Sequence, residues 1–159
     1  MSRFRNYVRG FTIIEMIVTF TILAILAGAV IPLARTAVKR EKEIELRRNL
    51  RTIREALDAY KKLADENKIE VEDKTEGYPP ELKTLVEGVE LKTESEGEEG
   101  EIVKFLRRIP KDPMTNSYDW GLRSYQDDFD SQNWGGENVY DVYTKSPGTA
   151  LDGTKYRDW

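Results

Sequence analysis

The apolar positions of the chain fall into two arrangements. Over residues 11–31 they are continuous, broken by a single charge at Glu15. About 20 such residues suffice for a helix to cross a bilayer. Further on they become periodic: Leu46, Leu50, Ile53, Leu57, Tyr60 and Ala64 are spaced 4, 3, 4, 3, 4, which lines one face of a helix. Glu41, Glu45, Arg48, Glu55 and Asp58 fall on the other face. No glycine or proline interrupts the pattern between Pro32 and Glu66. The pattern predicts one helix, membrane-crossing over 11–31 and amphipathic over 32–68. Its length from Phe11 to Glu66 is roughly 84 Å at about 1.5 Å per residue. Pro32 lacks an N–H and is the predicted kink.

After the helix, residues 69–77 are polar and read as a loop. Residues 81–86 read as a short helix with Pro80 at its start. Residues 87–101 hold seven glutamates against one lysine, and predict a solvated acidic loop. Residues 102–109 read as a short helix closed by Pro110 and Pro113. Nine of the sixteen aromatic residues lie in 118–159, where short β-prone pieces alternate with turn signals, so this region is the candidate strand layer. Its strands are predicted at 122–125 and 139–144, with 126–136 as the connecting loop. The expected fold class is α+β: a long N-terminal helix packed against a small C-terminal antiparallel β-sheet, within a domain spanning 69–159.

Composition removes several chemistries. The 159-residue chain has no cysteine and no histidine, which excludes disulfides, Cys/His zinc sites and thiol or imidazole catalysis. It contains no G-x-S-x-G and no Walker-type loop. Nothing places two carboxylates across a cleft as a glycosidase requires. No catalytic residue is assigned and no enzymatic activity is expected. The net charge is −4, and the first ten residues hold Arg3, Arg5 and Arg9 with no acid, so the remainder is more acidic still. That balance argues against nucleic-acid binding. A basic head before a membrane span stays cytoplasmic, which puts the C-terminal part outside the inner membrane.

Three readings compete for the apolar segment. A cleaved secretory signal would use Ala27-Gly28-Ala29 as its cleavage site, but must accept a glutamate inside its apolar region. An uncleaved anchor leaves Glu15 without a role, and an intramembrane carboxylate is costly unless partnered. A leader cut between Gly10 and Phe11 accounts for both the glycine and the acid. Gly10-Phe11-Thr12-Ile13-Ile14-Glu15 resembles the class III leader motif of type IV pilins and type II secretion pseudopilins. The resemblance implies a pilin-like fold, a basic leader over 1–10 removed by a prepilin peptidase, and N-methylation of Phe11. Pro32 falls at the twenty-second position after that cut, where the family often has a proline. The new Phe11 amine of one subunit is expected to pair with Glu15 of a neighbour. Removing one member of such a buried pair strands the other, at a cost of several kcal/mol.

Ile109-Pro110-Lys111-Asp112-Pro113 resembles the segment before the C-terminal sheet of the major, G-type pseudopilin, although Met114-Thr115-Asn116-Ser117-Tyr118 matches the family continuation only in part. This likeness implies a periplasmic pseudopilus subunit of a type II secretion system, homopolymerised through N-terminal helices. The implied partners are minor pseudopilins and an inner-membrane assembly platform with a separate ATPase. Glu15 argues against a tip-capping role, because the usual tip subunit lacks that acid. The alternatives are a type IV pilin for adhesion, motility or DNA uptake, and a signal-anchored periplasmic binding domain that never polymerises. G-type pseudopilins bind calcium after the final strand pair, which implies Asp152 as a ligand and Asp158 as a weaker one. Asp127, Asp128 and Asp130 form an independent calcium candidate, since this ion takes six to eight oxygens from turning backbone. Asp-Gly at 152–153 is equally a standard turn pair.

Overall fold

Helix α1 runs without interruption from Ile13 to Asp65 and passes through Pro32. The computed structural model describes residues 10–93 and 100–159. The chain divides into two compact units, Met1–Lys39 and Arg40–Trp159, and α1 contributes to both. The second unit therefore takes in the amphipathic half of the helix as well as residues 69–159.

The end of α1 is set by Asn67. Its backbone is left-handed, at φ 56°. The Lys68 N–H donates to the Leu63 carbonyl and the Asn67 N–H to the Ala64 carbonyl, both at 2.9 Å. This is a Schellman closure, with asparagine at the position that needs αL backbone. The predicted stop near 67–68 thus falls on the cap, and regular helix ends two to three residues earlier.

In the second unit the periodic face of α1 is the core. Leu46, Leu50, Ile53, Leu57 and Tyr60 are all buried, Ala64 is half-buried, and Glu41, Glu45, Arg48, Glu55 and Asp58 are exposed. Each fully buried aliphatic side chain contributes roughly 1.5–3 kcal/mol. Opposite them pack Ile69, Leu85, Trp120, Val139, Val142 and Tyr156. The Tyr60 and Phe105 rings meet at 5.5 Å.

The α+β fold is as expected, and the small antiparallel sheet of the C-terminal region is joined by a second two-stranded ladder earlier in the chain. Strand β1 (Val89–Glu90) pairs with β2 (Ile102–Val103), and β3 (Gly121–Arg123) pairs with β4 (Asp141–Tyr143). The first ladder corrects two expectations. Residues 102–109 are not helical, because the Phe105 and Leu106 N–H groups both donate to the Leu85 carbonyl. The ends of the acidic stretch are likewise held, with Leu91 N–H on the Glu101 carbonyl and Lys92 N–H on the Lys68 carbonyl. The tip of that stretch, residues 94–99, lies outside the described residues. The short helix predicted from 81 begins later: α2 is Thr84–Glu87, preceded by a turn in which Thr84 N–H donates to the Glu81 carbonyl.

In the second ladder Gly121 faces Tyr143 across the strands. A Cβ on Gly121 would sit 2.3 Å from the tyrosine ring, so only glycine lets that ring lie flat on the strand. The alternation expected over 139–144 fails at its end. Val142, Tyr143 and Thr144 are all buried, because the ladder is covered on both faces.

Candidate functional site

The first unit presents an apolar helix whose side chains are exposed among the described residues. Phe11 is 76 % exposed, Ile13 81 % and Phe20 63 %. Among the described residues one helix is long and apolar enough to cross a membrane, and this segment is what qualifies it. Its hydroxyls are satisfied from within. Thr19 donates to the Met16 carbonyl and Thr21 to the Ile17 carbonyl, so neither presents a free donor to an apolar surround. Thr36 donates in the same way to Pro32.

Glu15 is the exception. Thr12 caps the helix, its hydroxyl accepting the Glu15 N–H at 3.3 Å and its carbonyl the Met16 N–H at 3.1 Å. Glu15 is therefore the third helical residue, and Thr12-Ile13-Ile14-Glu15 has the spacing of a capping box. A carboxylate in the first turn is also favoured by the helix dipole. Sequence reasoning missed this local role, although the Thr-x-x-Glu spacing was there to be read. The cap does not provide the carboxylate with a cation: among the described residues the Glu15 side chain has neither a hydrogen bond nor an ion pair. Gly10 precedes the helix in irregular backbone, and a Cβ there would meet nothing. Gly10, Phe11 and Glu15 thus lie together at the N-terminal end of α1. Residues 1–9 of the basic leader lie outside the described residues.

The acidic candidates for calcium do not converge. Among the described residues no group of three acidic side chains could hold a metal ion together. Asp152 caps its own turn: Oδ1 accepts the Thr154 N–H and hydroxyl, and Oδ2 accepts from Arg47 at 3.3 Å. The Thr154 donors, with Arg47 beside them, hold its carboxyl below the usual carboxylate range. Asp158 lies 3.7 Å from Arg157. Asp127 Oδ2 accepts the Ser124 and Gly135 N–H groups, while Asp128 and Asp130 are exposed. As arranged, Asp127 Oδ2 and both oxygens of Asp152 are hydrogen-bond acceptors.

The residues that tie the second unit to α1 escaped the sequence reading, because their partners are remote in the chain. Arg54 donates to both oxygens of Asp141 and to the Val142 and Trp159 carbonyls. Arg123 reaches the same Asp141 from the ladder and lies over the Tyr143 ring. Asp112, from the Ile-Pro-Lys-Asp-Pro segment, is fully buried. It accepts the Met114 N–H and the Thr115 and Thr144 hydroxyls. Glu43 Oε1 accepts the Tyr156 hydroxyl and the Leu151 N–H. Burial first, then Glu43, pushes the Tyr156 phenol up to about 12.

Residues 5–31 match the family described as the prokaryotic N-terminal methylation motif. No curated protein and no solved structure matches the chain significantly. The matched stretch contains Gly10, Phe11, Glu15 and the apolar helix, so the chain carries a prepilin-type leader of the type IV pilin-like kind, joined to a segment suited to membrane anchoring.

Proposed function

We propose that this prepilin-type chain is a structural subunit of the type II secretion pseudopilus. Prepilin peptidase removes residues 1–10 and methylates Phe11. The mature chain waits in the inner membrane with Arg40–Trp159 in the periplasm, and then polymerises into a helical filament that drives protein export across the outer membrane. The observation that carries this reading is Glu15, a carboxylate in a bare apolar helix with no partner among the described residues. Such a group is costly in lipid. Cleavage after Gly10 creates an amine within reach of the same layer, and a neighbouring subunit brings that amine to Glu15. The contact is head-to-tail and does not close, so it generates a filament. A separate ATPase supplies the energy, and minor pseudopilins and the inner-membrane platform complete the machine. The Ile109–Pro113 resemblance favours secretion over adhesion, motility or DNA uptake.

Three measurements test this. Mass spectrometry of the mature protein is expected to find a methylated Phe11; an intact Met1 indicates a signal anchor and a start at Val30 simple secretion. Glu15→Ala is expected to abolish assembly, and normal filaments from that variant would overturn the pairing. Deleting the gene is expected to stop export and leave surface pili intact; the reverse outcome assigns the chain to a pilus.

A further inference from the structure

In the second unit, α1 carries Arg47, Arg51 and Arg54 at i, i+4 and i+7. Together with Leu50 and Trp159 they line an open groove of about 630 Å³. The three arginines differ in what holds them. Arg54 is locked on Asp141 and two carbonyls. Arg47 lies 4.0 Å over the Trp159 ring, and its pair with Asp152 is exposed on both sides. An ion pair of that kind contributes little and exchanges readily. Arg51 is exposed and has no hydrogen bond or ion pair among the described residues. Glu55 and Asp58 line the other end of the groove, so an anionic occupant is confined to the Arg47–Arg51 end. The half-buried Trp159 indole and the aliphatic stems of the two arginines make that end amphipathic.

The loop after β3 presents the complement. Phe129 is 89 % exposed, more than any other large apolar side chain among the described residues. Asp128 and Asp130 flank it. Both are exposed, and neither side chain has a hydrogen bond or ion pair among the described residues. The backbone beneath them is held. Asp127 Oδ2 accepts the Ser124 and Gly135 N–H groups, the Ser131 N–H donates to the Asp128 carbonyl at 2.9 Å, and Arg123 Nε donates to the Ser131 carbonyl at 3.0 Å. A single exposed apolar side chain is ordinary. This one stands between two carboxylates on a fixed turn, and a knob already fixed loses little freedom on docking. The charges also match in span. Arg47 and Arg51 are about 6 Å apart along the helix, four residues at about 1.5 Å each. Asp128 and Asp130 are two residues apart, which separates them by about 7 Å at most. Within one chain Phe129 is bare and Arg51 has no partner among the described residues. A knob that fits a groove elsewhere on the same molecule gives a heterologous, head-to-tail contact between copies.

We infer that the Arg47–Arg51 end of this groove docks the Asp128-Phe129-Asp130 turn of a second copy of the chain. The contact rests on the filament reading above, and adds to it a register set by the second unit. Phe129 enters the groove against Trp159 and Leu50. The two aspartates meet Arg51 and Arg47, and Arg47 gives up its exposed pair with Asp152 to do so.

A photoreactive analogue, benzoylphenylalanine, put in place of Phe129 in the full-length chain reports the contact directly. Irradiation in cells that assemble the filament is expected to give an adduct of twice the chain mass. Peptide mass spectrometry is expected to place its cross-link in residues 47–54 or 154–159 of the second copy. Normal filaments with no adduct, a cross-link elsewhere on the copy, or an adduct with a different protein each overturn the docking and leave the filament reading standing. A parent chain that forms no filament overturns both. A second series uses charge alone. R51E is expected to lower filament yield about tenfold, the order of one close interfacial charge pair, with recovery on adding D128K or D130K. Full assembly by R51E alone, or recovery with neither lysine, overturns the inference.

Discussion

Replacing Tyr156 with phenylalanine probes the contact that ties the C-terminal turn to α1. The ring is 4 % exposed and packs edge-on against Trp159 at 5.2 Å, and its hydroxyl donates to Glu43 Oε1 at 2.8 Å. Phenylalanine keeps the ring in place, and Glu43 keeps the Leu151 N–H at 2.9 Å. Neither a cavity nor an unpartnered carboxylate results. The loss is one hydrogen bond to a charged acceptor, worth about 1.5–3 kcal/mol, and the half-exposed Glu43 places it near the lower value. The phenol is also pushed from 10.0 to about 12, by burial first and by Glu43 next. Its folded-state pKa is therefore raised. The stability it contributes is complete below pH 10, where the unfolded phenol is neutral, and is lost as pH rises toward 12. The slope in that window is about 1.4 kcal/mol per pH unit, so wild type and Y156F are expected to reach equal stability near pH ~11. Urea unfolding of the full-length chain in detergent, followed by tryptophan fluorescence, measures this, because Trp120, Trp134 and Trp159 all report on the second unit. Equal midpoints near neutrality would refute the hydrogen bond. A gap that stays constant through the alkaline range would refute the raised phenol.

The same assay checks three further expectations. Asp112→Ala removes the acceptor of the Met114, Thr115 and Thr144 donors, of which Thr144 is fully buried, and is expected to cost about 1–3 kcal/mol, with Thr144→Val costing less. Arg54→Met is expected to cost about 2 kcal/mol, and a double-mutant cycle with Asp141→Asn should show coupling, since both oxygens of Asp141 meet Arg54. Gly121→Ala drives a Cβ into the Tyr143 ring and is expected to cost about 1–3 kcal/mol, part of which Tyr143→Leu in the same chain restores.

Local physics made much of this protein legible. A helix has a fixed period, so the residues from Leu46 to Tyr60 declared their common face without reference to anything else in the chain. The Gly10-Phe11 and Glu15 signals are contiguous, and a carboxylate in an apolar run is conspicuous by itself. Thr12 belongs to the same local grammar. The misread elements share a different cause. Residues 102–109 looked helical, yet the Phe105 and Leu106 N–H groups find the Leu85 carbonyl about twenty residues upstream. The strand at 139–144 seemed to alternate, but its partners at Gly121 and Asp112 bury the polar side as well. Asp127 and Asp152 read only as calcium or turn candidates, and folding adds the Gly135 N–H to the first and Arg47 to the second. The sequence alone therefore determined the long helix, its membrane-type half, its core face and the leader motif, because each depends on neighbours within a few positions. Tertiary structure alone decided the two ladders, the Arg54–Asp141–Arg123 clamp and the buried Asp112, because those depend on which distant groups the chain brings within hydrogen-bonding reach.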